Sequence, residues 1–162
     1  MEDNGYEPIL QDHAVASPAI ERRLTLRLLA YWERIRGDRA MPNENDINPE
    51  GDISDMWDDC FLIHTQDIDK EGYNFIFVGN NLKMVLTGGM FDDPADMWKS
   101  LNVRHLAPDL KKVLETQKPV IHEGELVNDA GQLVKYRQCL LPVGENNKVL
   151  AIFGGMRCKI YA

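Results

Sequence analysis

Four histidines, three cysteines and two pairs of adjacent aspartates are the side chains of this sequence best suited to chemistry. Asp58-Asp59 and Asp92-Asp93 place carboxylates at consecutive positions. Neighbours on a strand point to opposite faces, and on a loop they simply solvate, so neither pair makes a shared acid–base or metal site. Cys60, Cys139 and Cys158 are odd in number and widely spaced, with no CxxC pair, so neither zinc nor a redox dithiol is signalled. Each lies in an apolar, strand-like run where cysteine acts as a small hydrophobe, and free buried thiols fit a reducing cytoplasm. His64 and His122 also fall in strand-like runs. They line a polar pocket only if their faces meet the core. His64 with Glu123 or Glu125 is the best pair available for proton transfer. No GxSxG, HExxH or GxxxxGK(S/T) element occurs. No catalytic residue, no metal ligand and no required cofactor follows from the sequence, and the chain is not expected to be an enzyme. Gly88-Gly89 reads as a loop. Gly154-Gly155 falls in a strand, where glycine permits a bulge or a close backbone approach.

The elements that must position these groups belong to a chain of 162 residues, 44% hydrophobic and 27% charged, the composition of one soluble globular domain. Its formal net charge is −8. An acidic chain repels phosphate backbones, so nucleic acid and anionic membrane surfaces are poor partners. Arg22, Arg23, Arg27, Arg34, Arg36 and Arg39 cluster on a helical segment and read as its solvated face. The N-terminus is acidic and lacks a signal-peptide pattern, and no apolar run is long enough to cross a bilayer. A cytoplasmic location is expected.

Residues 1–16 are polar and aperiodic and read as a flexible tail. Ser17-Pro18 followed by Glu21 marks a helix start, and Gly37 its stop, giving an amphipathic helix over residues 17–37. Ile20, Leu24, Leu28, Tyr31 and Ile35 form its apolar stripe, which Leu26, Leu29 and Trp32 widen. That width predicts two contacts, one with its own domain and one with something else. Residues 39–53 read as a loop with a short helical turn. Cys60–Gln66 and Tyr73–Val78 read as a hairpin, Asn80–Leu86 and Met97–Leu101 as short helices, and His105–Lys118 as an amphipathic helix. Three strands follow, Val120–Val127, Leu133–Val143 and Val149–Ile160. The result is α+β, with an antiparallel sheet of about five strands.

This order resembles a PAS domain. Two stretches carry the likeness, Tyr31 to His64 and Tyr136 to Arg157. They resemble, respectively, the entry and the closing hairpin of a bacterial subgroup of short stand-alone PAS proteins. The first runs through Trp32, Arg34, Met41-Pro42 and Asp46-Ile47-Asn48-Pro49 into an apolar strand. The second has Tyr136-Arg137, Leu141-Pro142 and Gly154-Gly155. The resemblance implies a PAS-like five-stranded antiparallel sheet with covering helices over residues 38–162, preceded by the N-terminal amphipathic helix. It implies a single-domain signalling module acting in trans, as a homodimer or on another signalling protein. Ile20, Leu24, Leu28, Tyr31 and Ile35 are the interface candidates. No kinase, cyclase or DNA-binding domain fits in the remaining chain, so output is expected through a partner.

The alternative is a small-molecule sensor, with His64, Phe75, Phe77, Met84, Leu86, Leu140, Ile152 and Met156 lining the cavity. Haem-binding members carry a histidine on the helix before the third strand, the place of His105 here. Covalent flavin types need a cysteine next to the second strand. Residues 79–84, GNNLKM, have none. A small cavity-type enzyme is the remaining reading.

Overall fold

Leu133–Glu145 (β4) and Lys148–Tyr161 (β5) pair antiparallel along nearly their whole length. Asn146 and Asn147 join them, with φ of 54° and 61°. Two successive left-handed residues are what a type I′ turn requires, and its twist matches that of the flanking strands. Asparagine tolerates this region better than other side-chain-bearing residues. The computed structural model describes residues 18–65, 75–89 and 107–161. The expected tail over residues 1–16 and the expected helix at Met97–Leu101 lie outside the described residues, as do His105 and Asp92-Asp93.

Around the long hairpin, Cys60–His64 (β1), Phe75–Val78 (β2) and Val120–Val127 (β3) complete a five-stranded antiparallel sheet in the order β2-β1-β5-β4-β3. The register divides the side chains into two faces. Phe61, Gly154, Leu140 and Val120 form one cross-strand row, and Cys60, Gly155, Cys139 and Ile121 form the next, pointing the other way. Helix α2 (Asn80–Thr87) follows β2 and ends at Gly88, φ 68°. Its far end is tied to the β3–β4 turn, where Asn128 Nδ2 donates to Val85 O (2.9 Å). Asn128 Oδ1 accepts from the backbone N–H groups of Ala130 and Gln132, so this one side chain organises the turn. Helix α3 (Ala107–Thr116) packs on β3, β4 and β5, with Leu110 and Val113 fully buried.

Helix α1 (Pro18–Arg36) packs against β4 and β5 on the opposite face. Leu24, Leu28, Tyr31 and Trp32 are all buried. The Trp32 indole N–H donates to Pro142 O at 2.8 Å in the core. The Tyr31 hydroxyl donates to Asp46 O and accepts from Asn48 N. Arg27 grips both carboxylate oxygens of Asp55 (2.7 and 3.0 Å), and Arg34 pairs with Asp52. Gly37 closes the helix at φ 59°, and Arg39 donates to the Ile35 and Arg36 carbonyls at the negative end of the helix.

One expectation is corrected here. The apolar stripe is not a free surface: Leu24, Leu28 and Tyr31 are spent on the chain's own core, and Ile35 packs partly against it. The Ile20 side chain lies outside the described residues. Among the described side chains of α1, Leu26, 57% exposed, is the large apolar residue left in water. The arginine cluster faces solvent as read, and Arg27, Arg34, Arg36 and Arg39 each also pair with a carboxylate there.

Candidate functional site

Alternation along β4 assigns Val134, Tyr136, Gln138, Leu140 and Pro142 to one face of the sheet. Their cross-strand partners Leu126, Gly124, His122 and Val120 on β3, and Ile160, Cys158, Met156, Gly154 and Ile152 on β5, share it. We call this the inner face. His122 Nδ1 lies 3.6 Å from Asp109 of α3, which places that helix over it. The outer face carries Lys135, Arg137, Cys139, Leu141, Phe153, Gly155 and Arg157, with α1 above them.

The proposed cavity set divides between the two faces. Leu140, Ile152 and Met156 are buried on the inner face. Phe77 is on the outer face, stacked on Trp57 with ring centroids 4.5 Å apart. His64 pairs with Ala151 and also lies on the outer face. Met84 is 55% exposed on α2, and Leu86 packs partly against the core. Phe75 opens β2, and its side chain lies outside the described residues. His64, Phe77 and Met84 therefore do not join the others. The acid–base pairing fails as well. β5 and β4 stand between His64 and β3, which is about 14 Å across the sheet at ordinary strand spacing. Glu123 and Glu125 are engaged by Arg137 and Lys135.

One residue overlooked as a site candidate stands at the centre of the inner face. Gln138 is 0% exposed, and neither end of its side-chain amide has a hydrogen-bond partner. The signal was present in the sequence as a glutamine at an inward position of an otherwise apolar alternation. Beside it, Tyr136 and His122 turn to each other, with ring centroids 6.0 Å apart. Burial and the nearby Asp109 carboxylate raise the Tyr136 hydroxyl above the usual phenol range.

The outer face is held by ion pairs. Arg137 donates to Glu123 and to Thr25 of α1. Arg157 pairs with Asp59 (3.4 Å), which also accepts from Asn81 (3.1 Å). Asp59 is thus a structural carboxylate rather than half of an acid–base pair. Among the described residues, no group of three or more His, Cys, Asp or Glu is placed to hold a metal ion.

Two of the three thiols are similarly unsuited to chemistry. Burial raises the Cys60 thiol far above its ordinary value and pushes Cys139 up to about 12. Cys158 is only half buried. Iodoacetamide near neutral pH is therefore expected to add once to the native protein, at Cys158, and three times after denaturation. Peptide mass spectrometry reads the count, and rapid native labelling of Cys60 or Cys139 would contradict the burial described.

Among the glycines, Gly154 and Gly155 couple the two faces. A Cβ on Gly154 would strike the Phe61 ring on the inner face. One on Gly155 would strike Leu28 Cδ1 of α1 on the outer face.

The family model for the PAS domain matches residues 20–157, a range that takes in nearly all of α1. No curated protein matches the sequence. Solved structures that resemble it include the PAS domain of the fruit-fly ELK potassium channel. It is 12% identical, with 63% of this chain and 86% of that chain covered and a TM-score of 0.44. A PAS domain of a Colwellia psychrerythraea protein is 17% identical, covering 64% and 91%, with a TM-score of 0.41. A LOV protein of Rhodobacter sphaeroides is 9% identical, covering 61% and 57%, with a TM-score of 0.42. Nothing about ligands or partners transfers from likenesses this distant. No described helix is long and apolar enough to cross a membrane.

Proposed function

The chain belongs to the PAS domain family, a family of sensory rather than catalytic modules, and from that premise we propose that it is a signalling module whose output element is α1. In this reading, a change on the inner face moves α1 on the outer face. The released helix then docks on a partner chain, either a second copy or another signalling protein.

The observation that carries this reading is the Gly154–Gly155 pair. Consecutive residues of the central strand take the Phe61 ring on one side and the Leu28 side chain on the other. Packed interiors transmit displacement because they have few voids to absorb it. A shift of Phe61 therefore acts on the strand against which Leu28 rests. Moving α1 would also bare Leu24, Leu28, Tyr31 and Trp32, an apolar stripe of the kind that docks in a groove or pairs with its own copy.

Gly155→Ala tests the relay. The added methyl displaces Leu28, and the α1 amides are expected to exchange with deuterium at least about tenfold faster, while the β4–β5 ladder keeps its protection. Light scattering on the same variant identifies the partner. A doubled mass points to a second copy, and an unchanged mass removes a second copy as the partner. Unaltered exchange in α1, or equal acceleration in helix and sheet, would defeat the relay.

A further inference from the structure

We infer that the Gln138 amide marks a binding site on the inner face for a small neutral molecule with a cis-amide edge, a lactam or an imide. The inference rests on reading the domain as sensory, and it names the chemistry of the input. A primary amide taken out of water with both ends unpaired is costly to a core. A methionine of similar shape would fill the place at no such cost. Folded domains satisfy nearly all their buried polar groups, so an orphan amide at the centre of a sheet calls for a partner that binds.

The surroundings define that partner. Gln138 sits between His122 on β3 and Met156 on β5, with Tyr136 and Leu140 two positions away on its own strand. The polar neighbours are turned elsewhere: the Tyr136 ring lies over Gly124, and His122 approaches Asp109. Leu140 and Met156 are apolar. Among the described residues, a water molecule at Gln138 would find too few of the two to four polar partners that hold a buried water. A cis-amide presents N–H and C=O side by side, matching Oε1 and the syn N–H of Gln138 in two antiparallel hydrogen bonds. The ligand is neutral for a related reason. Among the described residues, the strand positions sharing the inner face with Gln138, from Val134 to Pro142, Val120 to Leu126 and Ile152 to Ile160, include no Lys, Arg, Asp or Glu, and the one carboxylate placed over them, Asp109, faces His122. An anionic guest would enter without a counterion, and a cationic one would have to take Asp109 from His122.

Thermal unfolding of the full chain with millimolar uracil or δ-valerolactam tests the site, with toluene as a ring that lacks the polar edge. At least one of the two amides is expected to raise the wild-type Tm saturably, by about 2–5 °C. It is also expected to move the Gln138 side-chain N–H₂ signals in the ¹H–¹⁵N spectrum, and toluene is not. Gln138→Met and Gln138→Leu are expected to be at least as stable as wild type without probe and to lose the amide response. Three results would overturn the site: no saturable response to either amide, an equal response in the variants, or a lower Tm in both variants, which would mean the amide is already satisfied. None of these readouts involves α1. Amide binding with unaltered α1 exchange would leave the site and remove the relay, and α1 release by Gly155→Ala without amide binding would do the reverse.

Discussion

Trp32→Ala is expected to lower the free energy of unfolding by about 3–5 kcal/mol, the usual cost of deleting a large buried aromatic side chain. Trp32 is buried between α1 and the sheet, and its indole N–H is the donor to the Pro142 carbonyl. Alanine removes the packing and leaves that carbonyl unpaired in the core. Trp32→Phe separates the two effects. It keeps most of the ring volume and loses the donor, so a smaller cost of about 1–3 kcal/mol is expected. Urea denaturation checks both variants through the midpoint, with the slope unchanged if the folded state stays intact. A loss of about 1 kcal/mol or less for Trp32→Ala would place it among ordinary surface substitutions and show that α1 is not part of the cooperative core.

Gly154→Ala is the second large effect. Its Cβ would come within 2.8 Å of two Phe61 ring carbons and closer still to a third. Phe61 is itself buried and cannot swing into solvent. Overpacking of this kind costs about 1–3 kcal/mol and sometimes more. The steric origin can be isolated. In a Phe61→Leu background the added methyl finds space, so the double variant should be more stable than the sum of the two single losses predicts. A coupling of about 1 kcal/mol or more is expected from paired denaturation curves. Additive losses would mean that Gly154 is needed for its backbone and not for its missing side chain.

The strands were the most legible part of the sequence. β3 is bounded by Pro119 on one side and the Asp129-Ala130-Gly131 turn on the other, and it runs over Val120–Val127 as read. α1 was legible because Pro18 and Gly37 punctuate it, and the ladder from Leu133 was legible because its alternation is clean. Face assignment was not legible. Alternation tells which residues share a side, but not which side a helix covers, so His64 and Phe77 were grouped with Leu140 and Ile152. The wide stripe on α1 misled for a related reason. A helix buried in its own core and a helix waiting for a partner carry the same apolar periodicity. Only the notch at Gly155 and the carbonyl of Pro142 reveal that Leu28 and Trp32 are already engaged. Gln138 was visible as a polar residue in an apolar alternation. Its significance needed the three-dimensional fact that nothing reaches its amide.

Among the described residues β3 is the outermost strand, with no described strand beside its outer edge, and such an edge can take up an added strand, the usual route to sheet-to-sheet aggregation. Two copies meeting antiparallel about Gly124 would set Glu123 of each against Glu125 of the other. Arg137 and Lys135 of the same chain pair with those carboxylates at the solvent-exposed surface and offset the repulsion only in part, so like charges still face each other across the seam. The edge is thus guarded by charge against its own copy, while a strand with lysine or arginine at the matching positions would meet no such barrier.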